Sequence, residues 1–132
     1  MSPSQEMYSE FIQVLSKAYP GKVWDGWLIV PESTPYPFIQ VGDTLENIDF
    51  GVKTFGFGKM NIVIHIWHNN PQKRGDLSCL MFSIRKIASR INQTKNYGWC
   101  LSGCEEQVLP DTTTKELLMH GVLSFDFKYW RR

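Results

Sequence analysis

The run from residue 115 to 130 constrains the fold more than any other part of the chain. Leu117, Met119, Leu123, Phe125, Phe127 and Tyr129 alternate with His120, Ser124, Asp126 and Lys128. A two-residue period sends the first set to one side of a strand and the second set to the other. The strand so defined exceeds the usual length of about five or six residues, which predicts that part of it projects beyond its sheet. Lys59 to His68 alternates too, with Met60, Ile62, Ile64 and Ile66 on one side and Lys59, Asn61, Val63, His65 and Trp67 on the other. Its β-branched content and partial two-sidedness predict a central strand. Asn69-Asn70-Pro71 ends it.

A sheet with one apolar face needs a cover, and two segments can supply helices. Ser2 is placed to cap the first, Pro3 suits its opening position and Gln5 completes a capping box. Tyr8, Phe11, Ile12 and Leu15 then share one helical face, and Pro20-Gly21 stops the helix, giving a span of about residues 3 to 19. The second helix starts near Gly75-Asp76. Leu77, Leu80, Met81, Ile84, Ile87, Ala88 and Ile91 form its apolar stripe, while Arg85, Lys86 and Arg90 occupy the other face. Asn92 to Gly98 breaks it.

Between these elements the signals are weaker. Val23 to Pro37 is mixed, with a turn signal at Asp25-Gly26 and three prolines that do not fit a central ladder. A short strand at Phe38-Ile39-Gln40-Val41 is closed by Gly42-Asp43. Residues 43–58 hold three glycines without a stable period and predict a long β-hairpin arm, whose second half, Val52 to Phe57, is itself a candidate strand. Trp99 to Leu109 reads as a strand with a possible bulge at Gly103, followed by a turn at Pro110 to Thr114. The order is helix, strand, strand, strand, helix, strand, strand. This predicts an α+β domain of residues 1–132, with a mostly antiparallel sheet of four to five strands and both helices on one face.

At 132 residues the chain can bury a core without disulfide or metal staples. Its net charge of +1 gives no overall reason to expect nucleic acid as partner, and no membrane-spanning run or basic-then-apolar leader is visible. Three cysteines cannot all pair within the chain, which suggests synthesis in a reducing, intracellular setting. The neutral total conceals a division. Residues 1–50 carry two basic groups against seven acidic ones, and residues 51–100 carry eight basic groups against Asp76 alone. If these blocks lie on different surfaces, neighbouring copies can pair through complementary fields; solvated faces are the simpler account.

The search for chemistry finds little. His65 and His68 are an odd number apart on a strand and so face opposite ways, which prevents shared metal binding. Cys100 and Cys104 share a face if their strand is regular, and His120 can lie across from them, but a fourth zinc ligand is missing. The cysteines are therefore expected to be buried, free and structural. Cys104 has Glu105 and Glu106 beside it, which raises rather than lowers a thiol pKa. Glu105 and Glu106 point apart, and Gly56-Phe57-Gly58 lacks the residues of a phosphate loop. No catalytic residue, cofactor site or metal site is assigned.

Interface features are more conspicuous. The arm carries Ile48, Phe50, Phe55 and Phe57, and the last strand ends in Phe127, Tyr129, Trp130, Arg131 and Arg132. Aromatic residues with arginine are typical of interface cores, and long connections in small domains tend to be functional. With Arg85, Lys86 and Arg90 on the second helix, these twelve residues form the candidate interface set.

The N-terminal helix, Tyr36-Pro37-Phe38-Ile39-Gln40-Val41-Gly42, the run Ile62-Val63-Ile64-His65-Ile66-Trp67 before a helix, and the closing Gly121-Val122-Leu123-Ser124-Phe125-Asp126-Phe127 follow one another in this chain. Together the pattern resembles the tail completion proteins of long-tailed bacteriophages, which include tail terminators and tail-to-head joining proteins. The likeness runs from about residue 4 to 130 and rests on short hydrophobic motifs. It implies a non-enzymatic α+β protomer, encoded by a phage or prophage and made in the bacterial cytoplasm. Its place would be a hexameric ring at the head-proximal end of the tail, between the tail tube protein and the head-tail connector or stopper. A minor capsid or connector role looks the same at this level. A small metal- or ligand-binding protein using Cys100, Cys104 and His120 is the rival from another class.

Overall fold

The computed structural model describes residues 1–27, 30–48, 57–113 and 117–132. The elements are α1 (Pro3–Ala18), β1 (Val23–Asp25), β2 (Phe38–Ile48), β3 (Phe57–His68), a short 3-10 turn (Pro71–Lys73), α2 (Arg74–Ser89), β4 (Tyr97–Asp111) and β5 (Leu118–Arg131). The fold is α+β, with five strands in the order β1-β2-β3-β5-β4. Only β1 and β2 run parallel; every other neighbouring pair is antiparallel.

Local chemistry explains both helices. The Ser2 hydroxyl accepts from the Gln5 backbone N–H at 3.2 Å, and Tyr19 closes α1 by donating its backbone N–H to the Leu15 carbonyl. The reciprocal half of the expected capping box is replaced by a bond from the Gln5 amide to the Ser9 hydroxyl. Asn70 accepts from the Gln72 N–H and so caps the turn leading into α2. The apolar stripes then bury Met7, Phe11 and Leu15 from α1, and Leu77, Met81, Ile84 and Ala88 from α2. Both helices cover the same sheet face, where they meet Ile62, Ile64 and Ile66 of β3 and Leu123, Phe125 and Phe127 of β5.

The long alternating run is indeed a strand, and it sits between β3 and β4 with ladders on both sides. Its partners run the full length, so β5 does not project past the sheet, contrary to the length-based expectation. Phe127 and Tyr129 are correspondingly core residues. The Phe11 ring lies 5.7 Å from Phe125 and 6.0 Å from Phe127, and Tyr129 packs on Tyr97 and Trp99.

Three boundaries differ from the sequence reading. β1 forms at Val23–Asp25, where sequence offers only a turn signal, because three residues can pair with Ile39 to Val41. β2 continues past Gly42-Asp43 through a register shift between Val41 and Thr44, and pairs with β3 as far as Ile48 opposite Gly58. The limbs of the expected arm are thus ordinary sheet strands, while its tip, with Phe50 and Phe55, lies outside the described residues, as does most of the Val52–Phe57 candidate. β4 begins at Tyr97 and runs through Pro110 to Asp111 rather than turning there. As an edge strand it tolerates a proline that a central ladder would not.

Candidate functional site

With both helices on one side, the other sheet face is open among the described residues. Antiparallel partners share a face, so Lys59, Asn61, Val63, His65 and Trp67 lie there with Lys128, Asp126, Ser124, Val122 and His120. Four features, on this face, at its margins and on the outer side of α2, are candidates for function.

At one end of the open face, the end of β2, the start of β3 and the end of β5 bring Ile48, Phe57 and Trp130 around a concavity of about 690 Å³. Lys59, Lys128 and Cys100 share its wall. Phe57 is 48% exposed and Trp130 41%, a large apolar area for a surface position. Gly58 matters underneath. The Tyr129 ring lies across it so closely that a methyl group there would meet the hydroxyl, and the hydroxyl reaches on to donate to Glu46 on β2 at 2.7 Å. The patch therefore stands on three strands tied together.

Of the candidate interface residues, Ile48, Phe57 and Trp130 are brought together here. Phe127 and Tyr129 face the core instead and are unavailable to a partner. Arg131 is exposed, whereas Arg132 is tied back: its guanidinium donates to the Thr94 carbonyl and its backbone N–H to that of Asn96, each at 2.9 Å. Proximity to the last residues suggested loose aromatics; a strand ladered on both sides buries them.

Arg85, Lys86 and Arg90 stand on the exposed face of α2, as their positions in the helical repeat require. Arg85 and Lys86 lie over the half-exposed Phe82 ring, 5.6 and 4.5 Å from its centroid. Phe82 lies outside the apolar stripe, and its signal in the sequence is an aromatic residue on the polar face of a helix. The α2 face is thus both cationic and aromatic.

On the opposite flank, α1, β1 and β2 enclose a polar cleft of about 260 Å³ lined by Tyr8, Asp25, Trp27, Asp43 and Thr44. The Tyr8 hydroxyl donates to the Asp25 carboxylate and lies 2.8 Å from the Val41 carbonyl, and the Gly26 N–H donates back to it. Burial, with the Asp25 carboxylate next in effect, pushes the Tyr8 phenol well above its ordinary value, so it remains a donor. Asp25 also accepts from the Trp27 N–H at 3.0 Å. The Trp27 backbone is therefore held while its side chain stands 87% exposed.

The fourth feature joins residues that are distant in sequence. His65 Nδ1 and His120 Nε2 are 2.7 Å apart, His120 stacks on Trp67 at 3.9 Å, and Trp67 donates to Gln40 at 2.9 Å. The His65 ring lies over Gly42, where any Cβ would collide with it at 2.7 Å. Burial holds both histidines below the ordinary value; His65 adds to this for His120, and Asp43 partly opposes it for His65. The pair is neutral at pH 7 and shares a single hydrogen bond. His68 points to the covered face, as odd spacing requires.

The cysteines correct the sequence reading. A register shift between Leu101 and Gly103 puts Cys100 opposite Lys128 on the open face and Cys104 opposite Phe125 on the helix side. All three cysteines are exposed rather than buried. Cys100, Cys104 and His120 do not converge, and no group of three or more His, Cys, Asp or Glu able to hold a metal occurs among the described residues. Burial raises the Cys104 thiol, with Glu106 and Glu105 adding to it and Arg85 opposing.

No protein-family model and no curated protein matches this chain. Function must be read from these surfaces. No helix among the described residues is long and apolar enough to cross a membrane.

Proposed function

We propose that this chain is a structural virion-assembly protein of a bacteriophage or prophage. It forms a ring, six copies in the simplest form, that ends the tail tube and offers the surface to which the head joins. Its partners are further copies of itself, the tail tube protein and the head-tail connector or stopper; its place is the head-proximal end of the tail. It acts by binding, not by catalysis.

The observation that carries this reading is the grouping of Ile48, Phe57 and Trp130 with Lys59 and Lys128 at one end of the sheet. Exposed aromatic residues held on paired strands and rimmed by charge are costly to leave in water, and burying them against another protein is what such surfaces do best. The motif resemblance supplies the class of assembly. The metal-binding alternative loses its ligand set, since Cys100 and Cys104 face opposite ways.

Light scattering and electron microscopy of the purified chain, alone and with unterminated tail tubes, test the proposal. Closed rings, free or seated on tube ends, are expected. A chain that stays monomeric and unattached in both settings overturns it. A chain found on the capsid rather than on tails turns it into a minor capsid component.

A further inference from the structure

Two surfaces described above are chemical opposites, and the topology puts them on opposite flanks of the body. The acidic cleft is built from α1, β1 and β2, the β1 side of the sheet. The basic face belongs to α2, which packs over β3, β5 and β4, and Arg85 reaches the field of Cys104 on β4 at the far edge. Tyr19, which closes α1, donates to Ser83; Phe82 lies about 100° and Arg85 about 160° round α2 from Ser83, and Lys86 about 60°. Arg85 and Phe82 therefore stand on the side of α2 away from α1, and Lys86 points outward, opposite the buried stripe.

We propose that the cleft of one copy receives the α2 face of the next, head to tail. Lys86 and Arg85 of one copy meet Asp43 and Asp25 of the neighbour, and Trp27 lies on their cationic heads and on the Phe82 ring. The contact deepens the ring reading given above, because it names the surfaces through which copies would meet. Its geometric logic is separate from the chemistry: a patch on one flank that fits a different patch on the other makes a heterologous contact, which closes into a ring when the rotation permits.

Three observations favour a second copy over another occupant. The charge division is strong within this one sequence, with two basic against seven acidic groups in residues 1–50 and eight against one in residues 51–100. Each surface pairs charge with an aromatic residue, Trp27 on one side and Phe82 on the other, so the two match in both respects. Finally, Trp27 is held at its backbone by Asp25 while its ring is exposed, which removes part of the ordering cost of binding.

Charge reversal on the full chain tests the pairing, read by sedimentation at low and high salt. Asp43 and Lys86 are both exposed, so Asp43→Lys and Lys86→Glu should fold as the parent does, which circular dichroism checks. Wild-type association should weaken as salt rises. Each single variant should associate about ten-fold more weakly, and the chain carrying both reversals should recover most of that loss.

Single variants that associate like the parent, or a double variant no better than the singles, overturn the pairing. If rings still form in that case, the assembly reading stands and only this contact is wrong. If the reversals behave as expected but only open chains form and no tail tube is capped, the contact stands and the ring reading fails. A parent chain with no self-association at low salt, up to its solubility, overturns the pairing. So does a chain whose Lys86 surface binds duplex DNA and not itself.

Discussion

The two faces of the sheet are written on the same strands and could hardly differ more. On the covered face, alternate residues of β3 and β5 are Met60, Ile62, Ile64, Ile66, Leu123, Phe125, Phe127 and Tyr129, all buried. On the open face the intervening residues include a histidine pair, a stacked tryptophan, lysines and half-exposed aromatics. One face stabilises the molecule by removing apolar area from water. The other is free to carry specificity, because few of its residues are needed for folding. A strand that alternates between these tasks separates stability from recognition at a spacing of one residue.

The largest test of that separation is in the core. Phe125→Ala should lower unfolding free energy by about 3 to 5 kcal/mol, measured in urea, because two helices cannot close over the lost ring. An unchanged midpoint would mean that the covered face is not the core. Next, Tyr129→Phe should cost about 1 to 2 kcal/mol, since it removes the hydrogen bond to the Glu46 carboxylate and leaves the packing of the ring intact. No loss would show that this tie between β5 and β2 is not made in solution.

The histidines sharpen the comparison through pH. His65, His68 and His120 are all held below 6.5, chiefly by burial. In the unfolded chain they take up protons first as pH falls, so stability is full above about pH 6.5 and declines below it. Thermal unfolding across pH 4 to 8 would show this, and His120→Gln should reduce the slope; an equal slope would remove the pair as its source. The smallest expected effect is on the open face. Phe57→Ser should change stability by no more than about 0.5 kcal/mol and yet weaken assembly or docking, as light scattering would reveal. A strongly destabilised variant would mean that the patch belongs to the fold rather than to a partner.

The legible parts of this molecule were those with a local period. The stripe of Leu77, Met81, Ile84 and Ala88 and the alternation of Leu123, Phe125 and Phe127 repeat within a few residues, and tertiary packing did not overrule them. Thr44 to Ile48 carries no such signal because Thr44 and Glu46 on the helix side are polar, and Glu46 is held there by the Tyr129 hydroxyl rather than by apolar packing. The histidine pair was hidden for another reason. Its members are 55 positions apart and meet only through the β3–β5 register, which no local pattern encodes. The cysteines show how one extra residue misleads: even spacing implies one face, and the register shift beside Gly103 puts them on two. Phe127 and Tyr129 were misjudged from their place near the last residues, whereas their strand is an inner one.

The position of β5 has a consequence for how the molecule comes into being. It follows β4 in sequence, yet it lies between β3 and β4, and β4 has no other strand beside it among the described residues. During synthesis β4 emerges before its partner, and a growing chain must hold that strand unsatisfied until residues 118–131 follow. A chain stopped after Asp111 should therefore be digested throughout by a protease that the complete sheet resists. The seam closes only for copies that carry β5, so the completed sheet distinguishes a chain that has reached residues 118–131 from one that has not.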